Sequence, residues 1–320
     1  MAKDYNPPTA SSHPSLDSGR APKKRLIIID SNSIVHRAFH ALPPLSTKSG
    51  EVVGAVYGFL LVFLKALREF QPDYIAATFD LPGPTFRHAK FKEYKATRPP
   101  TAEGICQQLP KVKEILKTFN VSIFEKQGLE ADDIIATISD LVGKQQATPE
   151  LETIILSGDS DTLQLVDSNT KVYFLRKGVK DTVLYDENLV KDKYQGLTPE
   201  KLVDFKALKG DPSDNIPGAK GIGEKTAIGL ILKFNSLENL YKEIEENSEK
   251  AAEISPRIKE ILIKDKKQVF LSKELSQAER RAPIDFDLDK CLWQKLDKEK
   301  AKEIFEKFEF QSLINRLSEI

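Results

Sequence analysis

Several things are scarce in this 320-residue chain. It has only two cysteines, Cys106 and Cys291, too far apart to form a metal-ligand spacing. They read as reduced thiols, and zinc chemistry finds no support. No apolar run reaches the length of a membrane span. The first residues lack the apolar core of a secretion signal, so the expected location is the cytoplasm. Net charge is also lacking, with 48 basic and 48 acidic residues, which argues against a protein that coats nucleic acid indiscriminately. No G-x-G-x-x-G follows a strand and no Walker lysine pattern occurs, so nucleotide-cofactor readings are poor. The 40% hydrophobic and 30% charged fractions are those of a globular chain long enough for a full-sized core.

Residues 1–22 are rich in Pro, Ser and Ala, lack periodicity, and read as a disordered tail. From Lys23 the pattern changes. Apolar runs at 25–30, 74–80, 121–124, 152–159 and 171–175 read as strands, and several are apolar enough to be covered on both faces. Helical spacing lies between them near 52–70, 105–119, 132–143 and 160–166. Such alternation predicts an α/β fold with a doubly wound, mostly parallel sheet over residues 23–196. Beyond it the strand signal vanishes, and residues 197–320 read as a Lys/Glu-rich helical region.

The strand ends carry acids: "RLIIID" closes on Asp30, "YIAATFD" on Asp80, and "ETIILSGDSD" on Asp159 and Asp161. In an open parallel sheet the ligand site lies beyond the carboxyl ends of the strands. "LEADDII" then crowds Glu130, Asp132 and Asp133 ahead of an apolar run. Two carboxylates ~4 Å apart repel by about 4 kcal/mol at the effective dielectric near a protein surface. Either these acids face water from the first turn of a helix, where the macrodipole favours them, or a cation sits among them. Each acid alone reads equally well as a helix cap. Together they predict a shared cleft for hard cations, since oxygen-only ligands favour Mg²⁺ or Mn²⁺. The count suits two ions, the arrangement that clamps an in-line displacement at phosphorus.

Two further stretches add to this. "LKGDPSDNIPGAKGIGEKTA" supplies Asp211 and Asp214, then Lys220, Gly221, Gly223, Lys225 and Thr226 at the entry to an apolar helix. Within 208–234 this has the form of a helix-hairpin-helix turn, whose glycines let backbone N–H groups approach a phosphate. A plain helix connection has the same appearance. Between Pro84 and Pro100 stand Arg87, Lys90, Lys92, Lys95 and Arg98 against the single acid Glu93, with Phe86, Phe91 and Tyr94 interleaved. Spanning about 82–104, this reads as a lid that neutralises phosphate, or as a solvated loop.

The segments "LIIIDSNSIVHRAFHAL", "GAVYGFL", "FRHAKFKEYKATRPP", "LEADDIIATIS", "LSGDSDTLQLV" and "LKGDPSDNIPGAKGIGEKTA" resemble, in order, the 5′ nuclease domain of bacterial DNA polymerase I, a 5′→3′ exonuclease and flap endonuclease. The resemblance implies a PIN/resolvase-like core, a helical arch at 82–104 and a C-terminal helix-hairpin-helix region. It implies metal ligands at Asp30, Asp80, Glu130, Asp132, Asp133, Asp159, Asp161, Asp211 and Asp214. It places arch cations at Lys95 and Arg98 and basic residues of the DNA path at Arg37 and Arg87. It further implies Mg²⁺, with Mn²⁺ able to substitute, and K⁺ at the hairpin. The implied substrates are branched, nicked or 5′-flap DNA and RNA–DNA hybrids, acted on by a nucleoid-associated monomer that is free-standing or fused to a polymerase. Ser31, His36 and Ser160 depart from the family's usual residues, which points to altered rate or substrate preference. A DNA-binding module with a dead core, a small-molecule phosphatase and a PIN-like ribonuclease are the competing readings. The full acid set and the hairpin disfavour them.

Overall fold

The computed structural model describes residues 23–144 and 151–319; the tail expected at 1–22 lies outside them. The core opens with β1 (Lys24–Asp30), α1 (Ser31–Ala41), α2 (Gly54–Phe70) and β2 (Tyr74–Thr78). It continues through α3 (Phe86–Lys90), α4 (Glu103–Thr118), β3 (Ser122–Phe124), α5 (Ala131–Lys144), β4 (Leu151–Ser157), β5 (Thr170–Lys177) and β6 (Asp181–Tyr185). The predicted helix at 160–166 is a 3₁₀ turn over Ser160–Leu165.

The strands form one sheet in the order β3-β2-β1-β4-β5-β6, parallel except for β6. Strand β6 is an addition to the predicted set. It is a half-buried edge strand, and its weak alternation left no clear period to read. Strand β1 shows why the central runs are uniformly apolar. Leu26 and Ile28 join α5 side chains such as Ile134 and Ile138 on one face. Ile27 and Ile29 meet Ile34 and Val35 of α1 and Phe59 of α2 on the other. Every second residue faces a different helical layer, and both layers are dry.

Beyond the sheet the described elements are helical: α6 (Glu187–Lys193), α7 (Leu202–Lys209), α8 (Glu224–Phe234), α9 (Leu237–Glu245), α10 (Glu249–Ala252), α11 (Pro256–Ser276), α12 (Lys298–Lys307) and α13 (Gln311–Ile314). Helices α7, α8, α9 and α11 pack on the α5 face and share its core through Phe205, Leu208, Ile231 and Leu262. Helix α12 crosses to the other face, where Phe305 is buried beneath α4 residues such as Val112 and Ile115.

The segment expected to form a helical arch contains only the short helix α3, followed by turns. Lys95 adopts φ +56°, which ends any helical continuation, and Pro99 and Pro100 follow. The segment lies down on the helical region. Tyr94 is buried against Ile216 and Leu275, and the Lys95 N–H donates to the Asp214 carbonyl at 2.9 Å.

Candidate active site

The order of connections reverses between β1 and β4, so their carboxyl ends diverge into a crevice. Asp30 ends β1 and caps α1 by accepting from the Ser33 N–H at 3.1 Å. Its other oxygen accepts from the Ser157 hydroxyl, at the end of β4, at 2.6 Å. Ser157 in turn accepts from the Asp159 N–H at 2.9 Å, which aims the chain after β4 back toward Asp30. Asp80, two residues past β2, accepts from the Ala131 N–H at 2.7 Å and so fixes the start of α5, which carries Asp132.

These elements line a cleft of about 370 Å³ that holds Asp30, Asp80, Glu130, Asp132, Asp159, Asp161 and Asp214. Arg37, Lys95 and Arg98 line it as well, with His36 and His40 beside them. Asp211 faces a neighbouring recess of about 220 Å³ that shares Arg98, Asp159, Asp161 and Asp214 with the first. Asp211 and Asp214 arrive on a loop folded tightly on itself, with Asp211 and Ile216 exchanging backbone bonds at 2.8 Å. Gly218 makes this possible. It has φ +62°, and a Cβ there would lie 2.3 Å from the Gly210 nitrogen.

The acids strain against one another. Burial pushes the Asp30 carboxyl up to about 6, against the hydrogen bonds from Ser157 and Ser33. Burial, then repulsion from Asp159, Asp30, Asp161 and Asp80, holds Asp132 well above its ordinary value. Asp161 is raised to about 7 by burial and by Asp159, despite Lys206. Asp211 goes the other way: against its burial, Lys206 and Ser213 hold it at about 2.

This has a sign. Asp30 and Asp161 begin to lose protons near 4 in the unfolded chain but near 6 and 7 in the fold, so the native state holds more protons across that window. In EDTA the protein is therefore expected to lose stability as pH rises from about 4 to about 7. Asp211 opposes this only below that window, because its pKa is lowered, while His36, lowered by its burial, offsets part of it within the window. Thermal melts in EDTA at pH 5 and pH 8 check it. A melting temperature that climbs across the interval would contradict the assignment.

Among the described residues, no three His, Cys, Asp or Glu side chains converge as a ready ligand set. The chain's own cations lie between the acids. Lys95 Nζ is 2.9 Å from Glu130, Arg98 pairs with Asp214, and Lys206 bridges Asp161 and Asp211. Tyr94 Oη is 3.1 Å from both Glu130 and Asp214. All the carboxylates are hard oxygen donors, a donor set that fits divalent cations of the Mg²⁺ class.

Two expected site residues are taken up by protein partners, Asp133 outside the cleft and Arg87 at its wall. Asp133 has no solvent exposure, and both its oxygens are taken by Arg87, Nη1 at 2.8 Å and Nη2 at 2.7 Å. It also accepts from the Glu130 and Glu279 N–H groups, and it does not line the cleft. Arg87, expected along the DNA path, is 3% exposed and donates to the carbonyls of Leu275 and Gln277. The pair fastens α3 and α5 to the end of α11. Asp132 and Asp133 differ because one helical step is about 100°, which turns adjacent residues to different neighbours.

Arg37 lines the cleft and donates to the Gly158 carbonyl at 2.8 Å. Lys220, Gly221, Gly223, Lys225 and Thr226 form the turn into α8 and line neither recess. The Lys220 N–H is held by Asp265 at 3.0 Å, while the side chains of Lys220 and Lys225 are exposed. Sequence reasoning missed Lys206 and Ser157. A serine closing the apolar run 154–156, and a lysine five residues ahead of Asp211, were the available signals.

Comparison with known proteins agrees with this architecture. Residues 25–195 match the family described as 5′-3′ exonuclease, N-terminal resolvase-like domain, and residues 197–299 match 5′-3′ exonuclease, C-terminal SAM fold. DNA polymerase I of Bacillus subtilis is 40% identical over 297 residues, covering 93% of this chain and 32% of the relative. DNA polymerase I of Caldicellulosiruptor bescii is 41% identical over 92% of this chain and 33% of its own length. The chain thus spans about a third of these relatives. Among solved structures, bacteriophage T5 5′-exonuclease with bound zinc ions aligns with a TM-score of 0.65 at 20% identity, over 88% of this chain and 99% of that one. The catalytic core of Rad2 with a DNA substrate aligns with a TM-score of 0.58 at 19% identity, over 92% of each. These two likenesses show the fold. With both family domains matched in order over the sheet and the helical region behind it, the chain belongs to the 5′-3′ exonuclease family.

Proposed function

We propose that this chain is a structure-selective 5′→3′ exonuclease and flap endonuclease that hydrolyses phosphodiester bonds with two divalent ions. One observation carries the reading: seven carboxylates from five stretches of the chain line one cleft, with Lys95 and Arg98 beside them. Facing a polyanionic substrate, so many acids are a liability to a binding module and an asset to a metal-dependent hydrolase.

Asp30, Asp80, Glu130, Asp132, Asp159, Asp161, Asp211 and Asp214 are the residues that would hold the ions. When bound, the ions supply an activated water and charge stabilisation of the leaving oxygen. Lys95 and Arg98 sit where a phosphate entering the cleft would meet them, and they neutralise its developing charge. Arg37 orients the strand at the cleft wall. Asp133 and Arg87 position the start of α5 rather than touching substrate. The exposed turn with Lys220, Gly221, Gly223, Lys225 and Thr226 grips duplex phosphates and is a candidate K⁺ site.

The substrates are branched, nicked or 5′-flap DNA and RNA–DNA hybrids. Mg²⁺ is the working ion and Mn²⁺ its substitute. The chain acts as a monomer at the nucleoid, alone or joined to a polymerase. Among the described residues no helix is long and apolar enough to cross a membrane.

The test is cleavage of an end-labelled 5′-flap DNA with Mg²⁺, with EDTA, and on a matched single strand. The expected result is Mg²⁺-dependent cutting near the flap junction, weak on the single strand and absent in EDTA. Tight binding without cutting in Mg²⁺ or Mn²⁺ would transfer the weight to a binding module.

A further inference from the structure

Lys206 sits on α7, just ahead of the Gly210 break that releases the Asp211 loop, and its own carbonyl closes the helix by accepting from the Gly210 N–H at 2.7 Å. Its ammonium is mostly buried and joins two acids of different origin. One is Asp161, which follows β4 in the sheet; the other is Asp211 in the helical region, at 2.9 Å. Asp211 is also held by the Ser213 hydroxyl at 2.6 Å, so its carboxylate is fixed toward Lys206. Without a cation between them, Asp161 and Asp211 would repel across the seam between the two regions.

We infer that Lys206 is a built-in counter-ion standing where Asp161 and Asp211 would share a divalent ion, and that it must be displaced before that ion binds. The inference rests on the metal-dependent reading of the cleft. A divalent ion of the Mg²⁺ class needs carboxylate oxygens at about 2.0–2.1 Å, whereas an ammonium spans them at hydrogen-bond distance, so the two cannot occupy one place. The four-carbon stem of lysine is flexible enough to swing aside. Lys206 is thus a positioning residue. It holds the sheet and the helical region together at this point when no ion is bound, and it weakens the ion site that uses Asp161 and Asp211 relative to the rest of the cleft.

The experiment is a titration of the DNA-free full chain with Mn²⁺ alone, read by calorimetry and by the electron spin resonance of free Mn²⁺. Lys206→Met keeps the stem and removes the charge. Its weaker Mn²⁺ class is expected to tighten on the order of tenfold while the tighter class stays fixed. Its melting temperature in EDTA should fall below wild type and recover in Mn²⁺ by more than the wild-type increment. Lys206→Arg keeps the charge and should retain the wild-type weak class. Where Lys206→Met does not fold in EDTA, the inference requires added Mn²⁺ to restore folding, and failure to do so overturns it. Identical isotherms for wild type and Lys206→Met would overturn the inference and leave the nuclease reading standing. A wild-type chain that takes up no Mn²⁺ would overturn both.

Discussion

Asp80→Asn and Asp132→Asn are each expected to lower single-turnover cleavage of a 5′-flap DNA by ~10³-fold or more, on the scale of losing a principal stabiliser of transition-state charge. Binding of the same DNA should persist or tighten. The two acids approach the cleft from different elements. Asp80 follows β2 and keeps one oxygen on the Ala131 N–H at 2.7 Å. Asp132 stands in the first turn of α5 amid Asp159, Asp30, Asp161 and Asp80. An amide is nearly the same size as the carboxylate it replaces, so the fold is kept while a charged ligand is lost. Removing one negative charge from a wall that faces phosphates also removes a repulsion from the DNA complex. Electrophoretic mobility shifts and quenched-flow cleavage on the same preparations separate the two effects. Undiminished cleavage by the double variant would sink the metal assignment. A parallel collapse of affinity would instead make these residues part of the docking surface.

The second large effect concerns stability. Arg87→Ala is expected to cost about 3–5 kcal/mol in urea unfolding, because it strands a buried carboxylate. Asp133 has no exposure, and its two charge-assisted bonds to Arg87 are at 2.7 and 2.8 Å. Burial disfavours the Arg87 charge, yet the bonds to Asp133 and the field of Glu130 raise its pKa overall. The guanidinium is a cation in any case, and the anion beside it is what offsets the cost of burying it. Adding Asp133→Asn to Arg87→Met should recover part of the loss. The unpaired charges then disappear together, while the amide oxygen still accepts from one of the Glu130 and Glu279 N–H groups, and losing the other acceptor keeps the recovery partial. DNA affinity per folded molecule should change little. An unchanged urea midpoint with weakened DNA binding would return Arg87 to the DNA path.

Much of the fold was legible in the chain. The runs at 25–30, 74–80 and 152–159 are near-continuously apolar through their centres, as burial on both faces of a sheet requires. Their closing acids were legible as well, since a charge cannot continue such a strand and must sit at its open end. Strand β6 was not legible. Its residues are mostly half-buried, and it owes its place to pairing with β5 through a hairpin. The segment at 82–104 showed its charge in the sequence but not its posture, because Tyr94 is drawn down by Ile216 and Leu275, more than a hundred residues away.

The sequence by itself determined that this protein has a parallel sheet whose edge collects carboxylates, and that a cation-rich segment accompanies them. Periodicity and strand-end chemistry are local properties, carried by residues within a few positions of one another. Only the tertiary structure decided which charge meets which. Asp132 and Asp133 are neighbours in sequence, yet one faces the cleft and the other is sealed against Arg87. Lys206 meets Asp161 across 45 residues of chain. Electrostatic energy depends on distances and burial that arise when separate elements pack, and no local pattern of residues encodes them.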